Sequence, residues 1–394
     1  MSLSKPIPTP LISTGPRPIP AEIPSFVAMD MMREANALAA AGRSVIHLET
    51  GQPSTPAPAR VRAVAARAIA EDTLGYTEAL GISALRRRIA RHYAERHGLE
   101  LDAARIIATT GSSAGLMMAF LALTGAGGRV GMVRPCYPCY RNIALALGLE
   151  PVEIAAGPEV GFELTAAALD RVQGPLDLLL VASPANPTGV VLPEARLAEI
   201  VGWCRAAGVP LVADEIYHGI TYGGPAPTLL AVDENAIIVN GFSKYYSMTG
   251  WRIGWMVVPL ALVRRVECLA QNLYIAPPSV SQHAAVAAFD ATDELEANVE
   301  RYAANRALLL EALPRLGFSV PASPGGAFYV YAGIPDGESD STALARRLLA
   351  QTGVTVTPGV DFDQTDGSRF VRFGYAGATS EIKEAVRRLE SWRR

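Results

Sequence analysis

Lysine is nearly missing from this chain: only Lys5, Lys244 and Lys383 stand among its 35 basic residues, and the rest are arginine. Cysteine is almost as scarce, and Cys136, Cys139, Cys204 and Cys268 are too few for a disulfide framework in 394 residues. The five histidines show no ligand spacing, so no metal is expected. The Cys136-Tyr137-Pro138-Cys139 run has the spacing of a redox dithiol or half a zinc site, but no second pair exists. Its plainer reading is a Pro- and Tyr-rich loop. Net charge is only −3 with a pI near 6.0, which argues against nucleic acid or an anionic membrane as a main partner. No apolar run approaches a membrane-crossing helix, and no secretory signal is visible, so cytoplasmic residence is expected.

What the chain does have is apolar content. Half its residues are hydrophobic and 19% are charged, the balance of a soluble globular protein with a large core. The length suits two or three domains. Residues 6–24 carry seven prolines interleaved with apolar residues and read as an extended arm lying on a partner surface. Helices are read at 25–41, 57–70 and 82–97, the last with Arg86, Arg87, Arg88 and Arg91 on a solvated or inter-subunit face.

From residue 105 strands and helices alternate. Strands are expected at 105–109, 129–133, 151–155, 177–182, 209–213, 236–240 and 253–258, with helices such as 113–124, 138–148 and 194–207 between them. This is an α/β pattern: a seven-stranded, mostly parallel sheet with helices on both faces. Later residues read as a smaller α+β domain, with strands at 317–320, 327–331, 354–357 and 369–373. The division expected is 1–48 for the arm and the start of the small domain, 49–278 for the large domain and 279–394 for the small one.

Three successive strands end in polar groups: Asn186-Pro187-Thr188-Gly189, Asp214-Glu215-Ile216-Tyr217, and Ser243-Lys244. Ligands of open α/β sheets bind beyond such carboxyl ends. An amine there can lose its proton and form a Schiff base with an aldehyde, which guanidinium cannot do. Asp214 at a buried strand end needs a cationic partner, and a protonated heterocycle nitrogen would serve. Upstream, Gly111-Ser112-Ser113 opens a helix and offers free amides to a phosphate, and Arg252 could add a charged contact.

These segments, with Gly250-Trp251-Arg252-Ile253-Gly254, resemble those of class I/II aminotransferases, which are fold-type-I pyridoxal-phosphate enzymes. The similarity runs from Gly51-Gln52-Pro53 to Arg372. It implies that Lys244 carries pyridoxal 5'-phosphate as a Schiff base and shuttles the substrate proton. By the same resemblance Asp214 pairs with the ring nitrogen, Asn186 and Tyr217 bond the ring's phenolic oxygen, and Tyr137 stacks on the ring. Gly111, Ser112, Ser113, Ser243 and Arg252 hold the phosphate, and Tyr76 reaches the neighbouring subunit's phosphate, which implies a homodimer with shared active sites. Arg372, Gly51 and Asn186 receive the substrate. Each residue also has a bland alternative: Asn186 a turn former, Tyr217 core, Tyr137 loop packing, Arg372 a surface arginine.

The resemblance implies transfer of an amino group between an amino acid and a 2-oxo acid. Bacterial aspartate enzymes of this group tend to carry a lysine where this chain has Ser113, so the expectation leans to neutral, aliphatic or aromatic donors. A β-lyase or aminocyclopropane-carboxylate-synthase-like enzyme would use the same pocket. A non-catalytic binding module is the rival of another class, and it would need a DNA-binding segment that the proline-rich start does not resemble.

Overall fold

The computed structural model describes residues 23–393. The expected arm over 6–24 therefore lies outside the described residues except for its last two positions, and Lys5 lies outside them altogether. In chain order the helices are α1 (Val27–Ala40), α2 (Ala59–Glu71), α3 (Ser83–His97), α4 (Gly111–Leu123), α5 (Pro138–Ala146), α6 (Ala166–Leu169), α7 (Glu194–Ala207), α8 (Leu260–Leu273), α9 (Ser279–Ala288), α10 (Thr292–Arg315), α11 (Ser341–Thr352) and α12 (Thr379–Arg393). The strands are β1 (Ile46–His47), β2 (Ile106–Thr109), β3 (Arg129–Arg134), β4 (Glu150–Ala155), β5 (Leu178–Ala182), β6 (Leu211–Asp214), β7 (Ile237–Gly241), β8 (Gly254–Val257), β9 (Tyr329–Gly333), β10 (Val354–Thr355), β11 (Thr357–Pro358) and β12 (Phe370–Gly374).

Seven strands form one sheet in the order β2-β8-β7-β6-β5-β3-β4. All neighbours run parallel except β8, which is antiparallel to both β2 and β7. The apolar runs read in the sequence are buried on both faces, as a helix-covered parallel sheet requires. Leu178, Leu180, Val212, Ile237 and Val239 point into one core, while Leu179, Val181, Leu211, Ala213 and Ile238 point into the other. Each fully buried aliphatic side chain contributes about 1.5–3 kcal/mol relative to exposure.

A second core gathers around the antiparallel sheet β11-β12-β9 and the parallel pair β1-β10. The strand expected at 317–320 is reduced to a single antiparallel bridge between Ser319 and Gly333. Helix α9, grouped with the smaller domain by the division at 279, packs Ala284, Ala285 and Ala288 with the core of the large sheet.

The arginine face of α3 needs correction. Arg86 donates through Nε to Ile106 O at 2.9 Å and through Nη2 to Ala103 O at 2.9 Å, tying the helix to β2. The Arg88 guanidinium lies 4.6 Å over the Phe289 ring and pairs with Glu95 and Asp290, with only 13% of its side chain exposed. Of these four, Arg87 and Arg91 stand in solvent. Helical spacing shows which residues share a face but not what packs on it.

Candidate active site

The register explains why distant segments meet. Gly254 at the start of β8 lies opposite both Thr109 at the end of β2 and Gly241 at the end of β7. A Cβ on Gly254 would stand 2.7 Å from Asn240 O and 3.1 Å from Ser112 N, so glycine there lets the first turn of α4 approach the sheet. Thr110 precedes α4 without capping it through its side chain, leaving the first-turn amides of Gly111, Ser112 and Ser113 open to an anion. The Arg252 guanidinium lies against Gly111, in space a Cβ there would fill. Arg252 holds φ at +49°, a left-handed backbone that costs a non-glycine residue on the order of 1–2 kcal/mol. Its Nη1 donates to Thr249 O at 3.0 Å and reaches Ser243 Oγ at 3.5 Å.

Next to this corner, Asp214 ends β6 fully buried. Its Oδ1 accepts from Ile216 N at 3.0 Å and its Oδ2 from the Tyr140 hydroxyl at 2.7 Å. Burial pushes the carboxyl up to about 6, against the lowering effect of those two donors and of Lys244. Glu215 is taken elsewhere: it accepts from Thr228 Oγ1 and Leu229 N, and burial raises it to about 8.

Lys244 donates through Nζ to Gly51 O at 2.5 Å. Burial, then the like charges of Arg372 and Arg252, bring its amine down to about 8. Much of it is therefore neutral slightly above physiological pH. Gly51 has no room for a side chain, since a Cβ would strike the Tyr329 hydroxyl. Tyr329 OH and Tyr217 OH are 2.8 Å apart.

Arg372 is the buried cation of the cavity. Its Nη1 donates to Asn186 Oδ1 at 2.8 Å and its Nη2 to Glu49 O at 2.6 Å and Thr357 Oγ1 at 3.2 Å. The guanidinium is held between the rings of Tyr329 and Phe362, at 4.2 and 4.7 Å from their centroids. Its Nε has no partner although buried. That orphaned donor points to a missing acceptor.

Lys244, Asp214, Tyr217, Asn186, Arg372, Gly51, Ser112, Ser113, Ser243, Arg252 and Tyr137 all border one cavity of about 260 Å³. Gly111 supports it from beneath Arg252. Tyr76 does not join them: it is 86% exposed on this chain. Sequence reasoning missed Tyr140, Tyr329, Glu49 and Thr357. For Tyr140 a signal existed, because it follows Tyr137 at i+3 on a helix opened by Pro138 and so shares its face. Tyr329 sits in an apolar strand like any core aromatic, and Glu49 acts through its carbonyl, so neither carries a mark in the sequence.

The other titratable groups form no comparable site. His92, His97 and His218 face a second cavity of about 210 Å³, where burial holds them down to about 3, 4 and 4. Among the described residues no group of His, Cys, Asp or Glu is arranged to hold a metal ion. All four cysteines are free, with Cys136 buried and its thiol pushed well up by burial. No described helix is long and apolar enough to cross a membrane.

Chemically the main cavity offers an uncapped helix start with Arg252 and Ser243, a buried acid, an amine near neutrality and a buried guanidinium with a spare donor. These residues fit a phosphorylated pyridine aldehyde together with an amino acid carboxylate. Comparison with known proteins agrees. The family described as aminotransferase class I and II matches residues 43–389. A valine–pyruvate aminotransferase of Mycobacterium tuberculosis is 49% identical over 376 residues, covering 94% of this chain and 97% of that one. A (5-formylfuran-3-yl)methyl phosphate transaminase of Methanocaldococcus jannaschii is 34% identical, covering 93% and 96%. The crystal structure of an aminotransferase from Mycobacterium tuberculosis superposes with a TM-score of 0.92 at 48% identity, covering 96% of this chain and 99% of that one.

Proposed function

The chain belongs to the class I and II aminotransferases, which depend on pyridoxal phosphate, and on that premise we propose how its residues divide the work and which donor they take. The reaction moves an amino group between an amino acid and a 2-oxo acid. Bound pyridoxal phosphate supplies the aldehyde that takes up the amine and a ring that withdraws electrons from the substrate's α-carbon. The amides of Gly111, Ser112 and Ser113 hold the phosphate with Ser243 and Arg252. Asp214 accepts from the ring nitrogen and keeps it protonated. Asn186, whose Oδ1 is occupied by Arg372, donates through Nδ2 to the ring's phenolic oxygen, alongside Tyr217. The Tyr137 ring packs on the ring face.

Lys244 binds the aldehyde between turnovers, and its neutral amine then takes the proton from the substrate's α-carbon and returns it. Arg372 fixes the substrate carboxylate with its spare donors, Nε among them, with the Gly51 amide beside it. That orientation converts binding into alignment of the α-carbon bond. The observation that carries the reading is the meeting, in one cavity, of a buried lysine whose amine is lowered toward neutrality, a buried acid and a buried arginine with an unmet donor.

The donor is a neutral amino acid with an apolar side chain, of which valine is a member, and pyruvate is a fitting acceptor. Ser113 in place of a lysine supports this, as do the apolar lining residues Phe26, Met29, Met32 and Ile216 and the name of the Mycobacterium tuberculosis relative. The working unit is a homodimer in which the exposed Tyr76 reaches the partner's phosphate site. Four unbridged cysteines support a cytoplasmic setting. The test is a half-reaction of purified, cofactor-loaded protein with a panel of amino acids, read by the change in visible absorbance. Apolar donors should bleach the band and pyruvate should restore it. Turnover of aspartate alone would overturn the donor assignment, and a band that survives Lys244→Ala would overturn the role of Lys244.

A further inference from the structure

We propose that Asp361 is a positioning residue for the substrate's side chain. Its carboxylate fastens the start of α1 across the cavity mouth, where Phe26, Met29 and Met32 form an apolar wall against the donor. The inference rests on the aminotransferase reading and adds which residues select the donor.

Helix α1 has no cap of its own, because Phe26 occupies the cap position and offers no side-chain acceptor. The cap comes from across the fold. Asp361 Oδ1 accepts from Val27 N at 3.0 Å and Oδ2 from Ala28 N at 3.1 Å, spanning 334 and 333 residues of sequence. Both oxygens are thus used on the first turn, at the positive end of the helix dipole. Asp361 is only 1% exposed, and a carboxylate so buried is costly without such donors.

The residue is itself held. Arg141 Nη2 donates to Asp361 O at 3.3 Å, and Arg141 is paired with Glu153 at 3.2 Å. Arg141 lies on α5, next to Tyr140, whose hydroxyl reaches Asp214. One short helix therefore sets both the acid at the cavity floor and the loop that holds the wall at its mouth. The wall meets the floor where the Phe26 and Tyr137 rings approach edge to face, 5.8 Å between centroids. Asp361 follows β11, which pairs with β12 at Thr357 opposite Arg372, so the cap of the wall and the carboxylate clamp stand on neighbouring strands.

Phe26 and the three α1 residues bordering the cavity, Ala28, Met29 and Met32, carry no charge to meet an acidic side chain. Methionine is unbranched and adaptable, so the wall suits several aliphatic or aromatic side chains rather than one shape. Met29 is 51% exposed and forms the open rim.

The experiment compares alanine, too short to reach the wall, with leucine as donors. Asp361→Asn keeps the size but loses one acceptor and turns an N–H toward an N–H. Its KM for leucine is expected to rise about tenfold, the scale of one hydrogen bond to a charged acceptor, while its KM for alanine and both kcat values stay within about threefold. If Asp361→Asn does not fold, Asp361→Ser, which keeps one acceptor for the α1 amides, decides the matter by the same split between the two donors. Equal changes for the two donors, or none, in the folded variants would overturn the role of Asp361 and leave the aminotransferase reading standing. A wild type that transaminates neither donor would overturn both.

Discussion

The Tyr140 hydroxyl donates to Asp214 Oδ2 across 2.7 Å, with both groups buried. This bond is one of the two that resist the effect of burial on the acid, and so it favours the ionised form that a protonated ring nitrogen needs. Tyr140→Phe removes it. The Asp214 carboxyl should then rise above about 6, leaving less carboxylate at neutral pH. Loss of a hydrogen bond to a charged group is worth about 1.5–3 kcal/mol. Cofactor titration of the variant should therefore show affinity at least roughly tenfold weaker than wild type.

Lys244 makes the capture of cofactor pH-dependent. Its amine is lowered to about 8, and only the neutral amine attacks an aldehyde. The rate at which apoprotein captures pyridoxal phosphate should climb about tenfold per pH unit below 8 and level off above it. Arg372→Leu removes the largest like charge on Lys244, so the levelling should move to higher pH. A plateau that stays in place in that variant would contradict the electrostatic account.

The same group bears on stability. A lysine whose folded value lies below its unfolded one binds fewer protons when folded, so apoprotein stability should rise with pH between about 8 and 10.5. Lys244→Met should remove that slope. Thermal unfolding of both apoproteins across this interval measures it.

Gly254→Ala tests the cradle. The added Cβ would stand 2.7 Å from Asn240 O and 3.1 Å from both Gly111 C and Ser112 N, all backbone atoms that cannot swing away. Overpacking of this kind costs about 1–3 kcal/mol. The first turn of α4 should be displaced, with phosphate and cofactor binding weakened together. Isothermal titration with inorganic phosphate and with pyridoxal phosphate measures both.

Arg372→Gln removes the cation while Asn186 and the Glu49 carbonyl stay buried beside it. Truncating one side of a buried charged contact costs about 2–5 kcal/mol. The kcat/KM for an amino acid should fall by that factor, whereas a simple amine lacking the carboxylate should lose much less. The ratio of the two substrates, measured in both proteins, isolates the carboxylate contact.

Much of this is legible in the sequence alone. The strand ends near Asn186, Asp214 and Lys244 announce themselves because short apolar runs stop abruptly at polar residues. The sheet's apolar runs lacked polar alternation because both faces are covered, and that too is a property of the local sequence. The arginines of α3 were misread for a matching reason. Helical spacing turns Arg86 and Arg88 to different sides of α3, and only the arrival of β2 beside Arg86 and of Phe289 beside Arg88 shows that both are covered. Tyr140, Tyr329 and the Asp361 cap escaped because their partners lie 74, 112 and 333 to 334 residues away.

The sequence by itself determined the alternation of strands and helices, the single amine at a strand terminus, and the small-residue turn Gly111-Ser112-Ser113 at a helix start. These follow from local backbone and side-chain chemistry, which each segment carries with it. Only the tertiary structure decided that Arg372 keeps an unmet donor, that Lys244 loses its charge near pH 8, and that α1 is capped from β12's own loop. Such properties depend on burial and on charges brought together from remote segments, and neither exists until the chain has folded.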